Sequence, residues 1–208
     1  MIDKYYNGVI EQVAGGIGNV EHNSILVRYS NDFSIWDLES VNHYKDQTDI
    51  FFTCHEFSYN KIAEAYEPYL GLIRQMFHKY CSGTLEEFME ECDVYKLQRP
   101  VFESYFEKGF CERTEQILID EVEYEQERMR NSIVTMLQKL SEIRPVVIVL
   151  NRFQLASKST MQLSNSLLQV KNKNIGIVLG VNDVQSIPEF AHEEWDAICE
   201  SMDDRNMD

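Results

Sequence analysis

Apolar residues along the chain fall into two patterns, short unbroken runs and longer stripes with spacings of three and four residues. The short runs cover residues 24–29, 49–55, 145–150 and 174–181, and they are rich in β-branched and aromatic side chains. Such runs are typical of strands that are buried on both faces of a sheet. We therefore predict at least four buried, parallel β-strands.

The spaced stripes predict amphipathic helices between and after these strands. Helices are predicted over residues 33–46, 62–81, 84–95, 112–143, 158–171 and 187–202. Pro68 should break or kink the second of them, and Thr84 with Glu87 three residues later has the pattern of a capping box. Because strands and helices alternate around one helical excursion, we predict a single α/β domain of three αβα layers, with a mostly parallel sheet of about 4–5 strands.

The charge and the lengths of the apolar runs exclude two classes of partner, nucleic acids and membranes. The 208 residues include 35 Asp and Glu but only 19 Lys and Arg, which gives a net charge of −16. Such a surface repels phosphates on balance, so we expect no nucleic acid as a partner. No apolar run reaches the roughly 18 residues of a membrane-spanning helix, so no membrane is expected either. The five cysteines are scattered without C-x-x-C spacing, which favours reduced thiols in a cytoplasmic protein.

A glycine-rich stretch near the start, VAGGIGNVEHNS (residues 13–24), is superficially similar to a phosphate-binding loop. Such a loop has the pattern G-x-x-x-x-G-K-[ST] and joins a buried strand to a helix. With Gly18 as the last glycine, Val13 stands at the first glycine position and Asn19 at the lysine position. No helix fits between Gly18 and the strand that begins near Ser24, so we interpret the glycines as a turn.

His55 and Glu56, at the end of the second predicted strand, are a candidate acid–base pair, because α/β sheets bind ligands at the carboxyl ends of their strands. An enzyme that used this pair would hold it in a closed pocket and raise the pKa of the glutamate. Polar residues at a crowded strand end are the simpler interpretation. We predict no catalytic residue, no metal site and no cofactor.

The second half of the chain contains a series of short motifs in a recognisable order. A predicted long helix leads to Arg144-Pro145, a hydrophobic strand over 146–150, Leu155-Ala156, and Ser159-Thr160 followed by Leu163. This order resembles the segment around the second phosphate-site motif (Walker B) of STAND-type P-loop ATPases. These are the AAA-like modules of bacterial transcription activators and cyclase-linked signalling proteins. The upstream segment FTCHEFSYNKIAEAYEPYLGLIRQM is similar to the second strand and the following helix of that family, so the resemblance covers about residues 24–183 in element order.

The resemblance places the family's phosphate loop over LVRYSNDFSIWDL, residues 26–38. The two glycine positions are then Tyr29 and Ser34, the lysine position is Ile35, and the Ser/Thr position is Trp36. Every functional position therefore holds an unsuitable residue. The bulk of Tyr29 and Trp36 favours a site filled by its own side chains over an open cleft.

The second phosphate-site motif (Walker B) lacks its acidic residues as well. Its two acidic positions are Asn151 and Arg152, and neither residue acts as a general base near neutral pH. Asn182 stands at the position of the family's polar sensor. The resemblance thus implies a pseudo-NTPase, a catalytically inactive regulatory or protein-interaction module that binds protein partners or further domains of the same chain. The alternative is a nucleotide-binding ATPase with an atypical phosphate site, for which Arg28, Arg152 and Lys158 would have to converge at the carboxyl edge of the sheet.

The resemblance also implies a sheet order of second, third, fourth and first strand. The family has a fifth strand beside the first, followed by a helical lid. Since one predicted helix follows the fourth strand, we expect a chain truncated before the fifth strand and the lid, and therefore the N-terminal part of a longer protein. The first strand would then be a free edge through which a homodimer can form.

Overall fold

The computed structural model describes residues 2–18, 23–30, 35, 38–45, 49–109, 122–182 and 184–207. These residues form eight α-helices and five β-strands. The helices are α1 (Ile2–Gly16), α2 (Glu39–Lys45), α3 (Tyr69–Tyr80), α4 (Leu85–Glu91), α5 (Arg99–Lys108), α6 (Val122–Ile143), α7 (Lys158–Val170) and α8 (His192–Ser201). The strands are β1 (Ser24–Tyr29), β2 (Phe51–Glu56), β3 (Val146–Asn151), β4 (Ile175–Val181) and β5 (Asp203–Met207).

The described strands form one parallel sheet in the order β2-β3-β4-β1-β5. Rows of paired residues cross all five strands, for example Cys54, Val149, Val178, Ile25 and Asp203. The α/β class and the predicted order of the first four strands are therefore confirmed. Because all strands run in the same direction, their carboxyl ends meet at one edge of the sheet.

The prediction that β1 is a free edge is wrong, because β1 lies between β4 and β5. The prediction that the chain is truncated before the fifth strand is wrong for the same reason. Residues 203–207 pair in parallel with residues 25–29 and so satisfy the backbone N–H and C=O groups on that side of β1. Their sequence, DDRNM, has neither an apolar run nor an alternation that would indicate a strand. The homodimer predicted through a free β1 has no such edge to use.

Helices cover both faces of the sheet. On one face, Ile25, Val27 and Tyr29 of β1 share a core with the buried residues of α1 and α2. On the other face, the Arg28 guanidinium lies 5.6 Å from the ring centre of Trp195 in α8. Strand alternation explains the split, since successive side chains point to opposite faces. The predicted three αβα layers are thus confirmed.

Helix α1 lies unusually close to β4, and two glycines make that approach possible. The buried stripe of α1 consists of residues spaced three and four apart, Tyr6, Val9, Ile10, Val13 and Ala14. A Cβ atom on Gly176 would lie 2.6 Å from Val13 Cγ1, and one on Gly180 would lie 2.6 Å from Asn151 Oδ1 and against the Tyr6 hydroxyl. The two glycines are four residues apart and therefore lie on the same face of β4. Together they form the surface on which α1 packs.

The chain divides into two compact units, residues 1–67 with 144–208, and residues 68–143. The first unit contains the sheet. The second contains α3 to α6, with Phe77 packed against Phe88 and Phe106 at ring-centre distances of 5.2 and 5.5 Å. The predicted capping box at the start of α4 is confirmed, since Glu87 N–H donates to Thr84 Oγ1 and Thr84 N–H donates to Glu87 Oε2. The single domain predicted from the sequence stays a prediction.

Several helix boundaries differ from those that the apolar pattern predicts. Helix α3 begins directly after Pro68 rather than at residue 62, and Tyr66 just before it has a φ of 62°, outside the helical region. Helix α8 begins at His192 rather than at residue 187, after a 3₁₀ turn over Glu189–Ala191. Helices α1 and α5 are not predicted at all. Among the helices that the structure describes, none has both the length and the apolar character needed to cross a bilayer.

We expect Gly176→Ala to lower the free energy of unfolding by about 1–3 kcal/mol, because the added methyl overpacks against Val13. Adding Val13→Ala should recover part of this loss. Gly8→Ala is the matched control in α1, since nothing lies within 4 Å of its added Cβ, and it should gain about 0.5–1 kcal/mol. Urea unfolding followed by circular dichroism measures all three. Equal effects of the two glycine substitutions would contradict the close approach of α1 to β4.

Candidate functional site

The carboxyl edge of the sheet is the candidate site, because ligands of open α/β sheets bind there. Tyr29, Glu56, Asn151 and Val181 are the last residues of β1, β2, β3 and β4. Three of these four side chains are polar or ionisable. The structure thus brings together positions that are far apart in the sequence, as the predicted parallel sheet requires.

The phosphate-loop positions that the structure describes are occupied by large, buried side chains. Tyr29 is 3% exposed and Ile35 is fully buried, while Ser34 and Trp36 lie outside the described residues. The Tyr29 hydroxyl donates a hydrogen bond of 2.6 Å to Asn151 Oδ1, and its ring packs edge-on against Tyr6. Residues at the predicted first glycine and the predicted first acidic position are therefore bonded to each other, and the Tyr29 side chain is buried at the edge where a phosphate loop would begin.

Glu56 places a carboxylate between two donors at this edge. Its Oε2 accepts a hydrogen bond of 2.9 Å from the backbone N–H of Ile35. Its Oε1 lies 2.9 Å from Arg152 Nη1, and only 18% of the arginine side chain and 13% of the glutamate side chain are exposed. In the predicted register Ile35 is the lysine position and Arg152 the second acidic position. A carboxylate of the chain itself therefore binds a backbone amide of the predicted phosphate loop.

Arg152 is held in an uncommon backbone conformation. Its φ of 53° and ψ of 43° are left-handed, and such a conformation costs free energy in a residue other than glycine. Its guanidinium also lies 6.0 Å from the ring centre of Tyr59. Strain of this kind persists only where the surrounding structure enforces it. Here, the ion pair with Glu56 and the Tyr59 ring both position the arginine.

Asn182, the sensor-like residue, bonds to other side chains of the site. Its Oδ1 accepts a hydrogen bond of 3.4 Å from the Tyr59 hydroxyl and a second bond from the Gln154 side-chain N–H. Gln154 is fully buried and also donates to the Tyr59 hydroxyl at 3.3 Å. Tyr59, Gln154 and Asn182 therefore form one hydrogen-bonded cluster next to Arg152. Sequence reasoning does not identify Tyr59 or Gln154, since neither belongs to a motif.

The basic side chains that an atypical phosphate site would need point to three different partners. Arg28 Nη2 lies 3.4 Å from Cys199 Sγ on the α8 face of the sheet. Lys158 Nζ forms an ion pair of 3.3 Å with Glu194 Oε1. Arg152 pairs with Glu56, whose other carboxylate oxygen accepts the Ile35 N–H, so the charge of this arginine is already balanced.

His55 and Glu56 do not form an acid–base pair. They are consecutive residues of β2, so strand alternation directs their side chains to opposite faces. The His55 ring packs edge-on against Phe57, with 4.6 Å between ring centres. Burial lowers the pKa of His55 below its ordinary value, and this effect outweighs the opposing effects of Glu67 and Glu56. The imidazole is therefore neutral near neutral pH.

The glycine-rich stretch lies at the other edge of the sheet. Gly15 and Gly16 end α1, and Gly18 has a φ of 81° in the turn that leads toward β1. The Asn23 side chain donates a hydrogen bond to the carbonyl of Val13. A helix carboxyl end carries partial negative charge and does not attract phosphate. Gly18 thus lies in a turn as predicted, whereas Gly15 and Gly16 belong to α1, and residues 19–22 of the stretch lie outside the described part of the chain.

No protein-family model matches the chain. Among curated proteins, no sequence matches it either. Function is therefore inferred from the geometry of the site.

A double-mutant cycle with Glu56→Gln and Arg152→Asn should give a coupling energy of about 0.5–3 kcal/mol, because the two side chains meet in a largely buried site. Asparagine is chosen because it tolerates the left-handed backbone. The exposed pair Lys61–Glu67 is the control, and its coupling should be about 0–1 kcal/mol. Urea unfolding of the single and double variants measures both cycles. Equal coupling in both pairs would contradict the buried ion pair.

The stability that His55 contributes should fall on acidification. Because folding lowers the pKa of His55 from 6.5, the unfolded chain binds more protons there as the pH drops through that value. The contribution is complete above about pH 6.5 and is lost as the pH falls toward the folded pKa. The measurement is the difference in unfolding free energy between the wild type and His55→Gln from neutral to mildly acidic pH. A difference that does not change with pH would refute the burial effect.

Proposed function

We propose that this chain is a catalytically inactive regulatory module with a P-loop-like fold, acting through protein–protein contacts. The observation that carries the proposal is the position of the Glu56 carboxylate, bonded to the Ile35 N–H and paired with Arg152. Backbone N–H groups at this edge are what a phosphate loop offers to an anion. Glu56 supplies that anion from within the chain.

The charges at the site support the same proposal. A bound triphosphate would add several negative charges beside Glu56, where the positive charge of Arg152 is already balanced. The predicted lysine position is Ile35, and it contributes no counter-charge. Asn151 accepts a hydrogen bond from Tyr29 at the position where the family places an acidic residue for Mg²⁺. Among the residues that the structure describes at these positions, Ile35 offers no cation for a triphosphate, and Asn151 and Arg152 offer no carboxylate for Mg²⁺.

By resemblance, the module belongs to a bacterial signalling or transcription-regulatory protein. The modules that it resembles are regulatory and bind nucleotide at this edge of the sheet. In this chain an internal ion pair would hold one state permanently. The partners would then be proteins, or further domains of the same chain, rather than nucleotides.

The proposal is tested by calorimetric titration with Mg-ATP and Mg-ADP at low salt, up to millimolar nucleotide. We expect no binding to the wild type. Glu56→Ala should expose the Ile35 N–H and Arg152, so that inorganic pyrophosphate raises its thermal midpoint while leaving that of the wild type unchanged. Glu67→Ala, which removes a carboxylate from the exposed Lys61 pair, is the control and should not respond. Micromolar binding of ATP by the wild type would overturn the proposal and favour an ATPase with an atypical site.

A further inference from the structure

Three large apolar side chains are exposed on segments that follow strands at the carboxyl edge of the sheet. Tyr59, Ile62 and Phe190 are 56%, 92% and 66% exposed. We call these three residues the apolar rim. Tyr59 and Ile62 follow β2, and Phe190 lies between β4 and α8. Large apolar side chains mark an interaction site where they lie together among polar residues.

The start of α7 connects the two parts of the apolar rim. The Ser157 hydroxyl donates a hydrogen bond of 3.2 Å to the carbonyl of Glu64, two residues after Ile62. Its neighbour Lys158 forms the ion pair with Glu194, one helical turn after Phe190. The segments that carry Ile62 and Phe190 therefore both contact the start of α7.

The charges around the apolar rim are unbalanced. Lys61, next to Ile62, and Lys158, at the start of α7, are each paired with a glutamate. Three exposed carboxylates, Glu64, Glu189 and Glu193, make no ion pair within the part of the chain that the structure describes. The surface thus presents apolar side chains among uncompensated negative charges, on a chain whose net charge is −16.

We infer that the apolar rim is a docking site for a basic, amphipathic segment of a partner protein. Apolar side chains of the segment would cover Ile62 and Phe190, and its lysines or arginines would meet the three carboxylates. Nucleic acids and acidic peptides are disfavoured by the same charges. The inference rests on the proposed function in that it names the chemistry of the protein partner.

The test uses two synthetic amphipathic peptides of about 18 residues, five helical turns, one built from lysine and leucine and one from glutamate and leucine. Fluorescence anisotropy should show binding of the lysine–leucine peptide only. Ile62→Ser with Phe190→Ser should weaken binding about tenfold or more. Replacing Glu64, Glu189 and Glu193 by glutamine should weaken it and flatten its salt dependence.

Leu97→Ser with Tyr124→Ser is the matched control, because these side chains are 69% and 66% exposed in the helical unit. We expect the control to bind the peptide as the wild type does. The inference is overturned if the control loses as much affinity as the rim variant, if both peptides bind equally, or if neither binds. No nucleotide enters this experiment, so its failure is distinct from a failure of the proposed function, which nucleotide titration reports.

Discussion

The close contact of α1 with β4 is the constraint on which the candidate site depends. Without side chains at Gly176 and Gly180, the helix can press Val13 and Tyr6 directly onto the strand. The same contact positions the Tyr6 ring, which packs against Tyr29. It also positions Asn151, because Asn151 Oδ1 lies next to Gly180. A buried core of this density transmits small displacements rather than absorbing them. The positions of Tyr29 and Asn151, the last residues of β1 and β3, therefore depend on the two glycines of β4, the strand between them.

The polar side chains at these strand ends bond to one another at the carboxyl edge of the sheet. The Tyr29 hydroxyl and Asn151 Oδ1 bond to each other, so neither of these two atoms is available to a ligand without breaking a buried hydrogen bond. Glu56 occupies the backbone amide of Ile35 and neutralises Arg152. Of the described groups that the resemblance places in a phosphate site, the Tyr29 hydroxyl, the Ile35 N–H, Asn151 Oδ1 and the Arg152 guanidinium thus each have an internal partner. A site of this kind is stabilised by folding alone, whereas a true phosphate loop gains stability when its ligand binds.

The sequence predicted the four central strands because their burial on both faces leaves unbroken apolar runs, as in residues 146–150 and 175–181. It did not predict β5, because that strand pairs with β1 through backbone N–H and C=O groups, which every residue other than proline has, and its side chains show no strand pattern. Helix α1 was not predicted, although Tyr6, Val9, Ile10 and Val13 are spaced as in an amphipathic helix, since the glycines at its end are typical of a turn. At the site, local motifs indicated Tyr29, Ile35 and Asn151. The role of Glu56 depends on contacts between residues 21 and 96 positions away, which no local pattern contains.

Tyr59 belongs to the apolar rim and also contacts the candidate site at the sheet edge, which the side chains of Tyr29 and Glu56 fill. Its ring lies beside the Arg152 guanidinium and its hydroxyl bonds to Asn182, yet 56% of the residue remains exposed. On the proposed function, a partner segment that covers Tyr59 lowers the local dielectric constant and strengthens the attraction between Arg152 and Glu56. The cost of desolvating those charges is already largely met, since the two side chains are only 18% and 13% exposed. Partner binding and the filled site would therefore reinforce each other, so that a polypeptide takes the stabilising role that a nucleotide has in an active P-loop module.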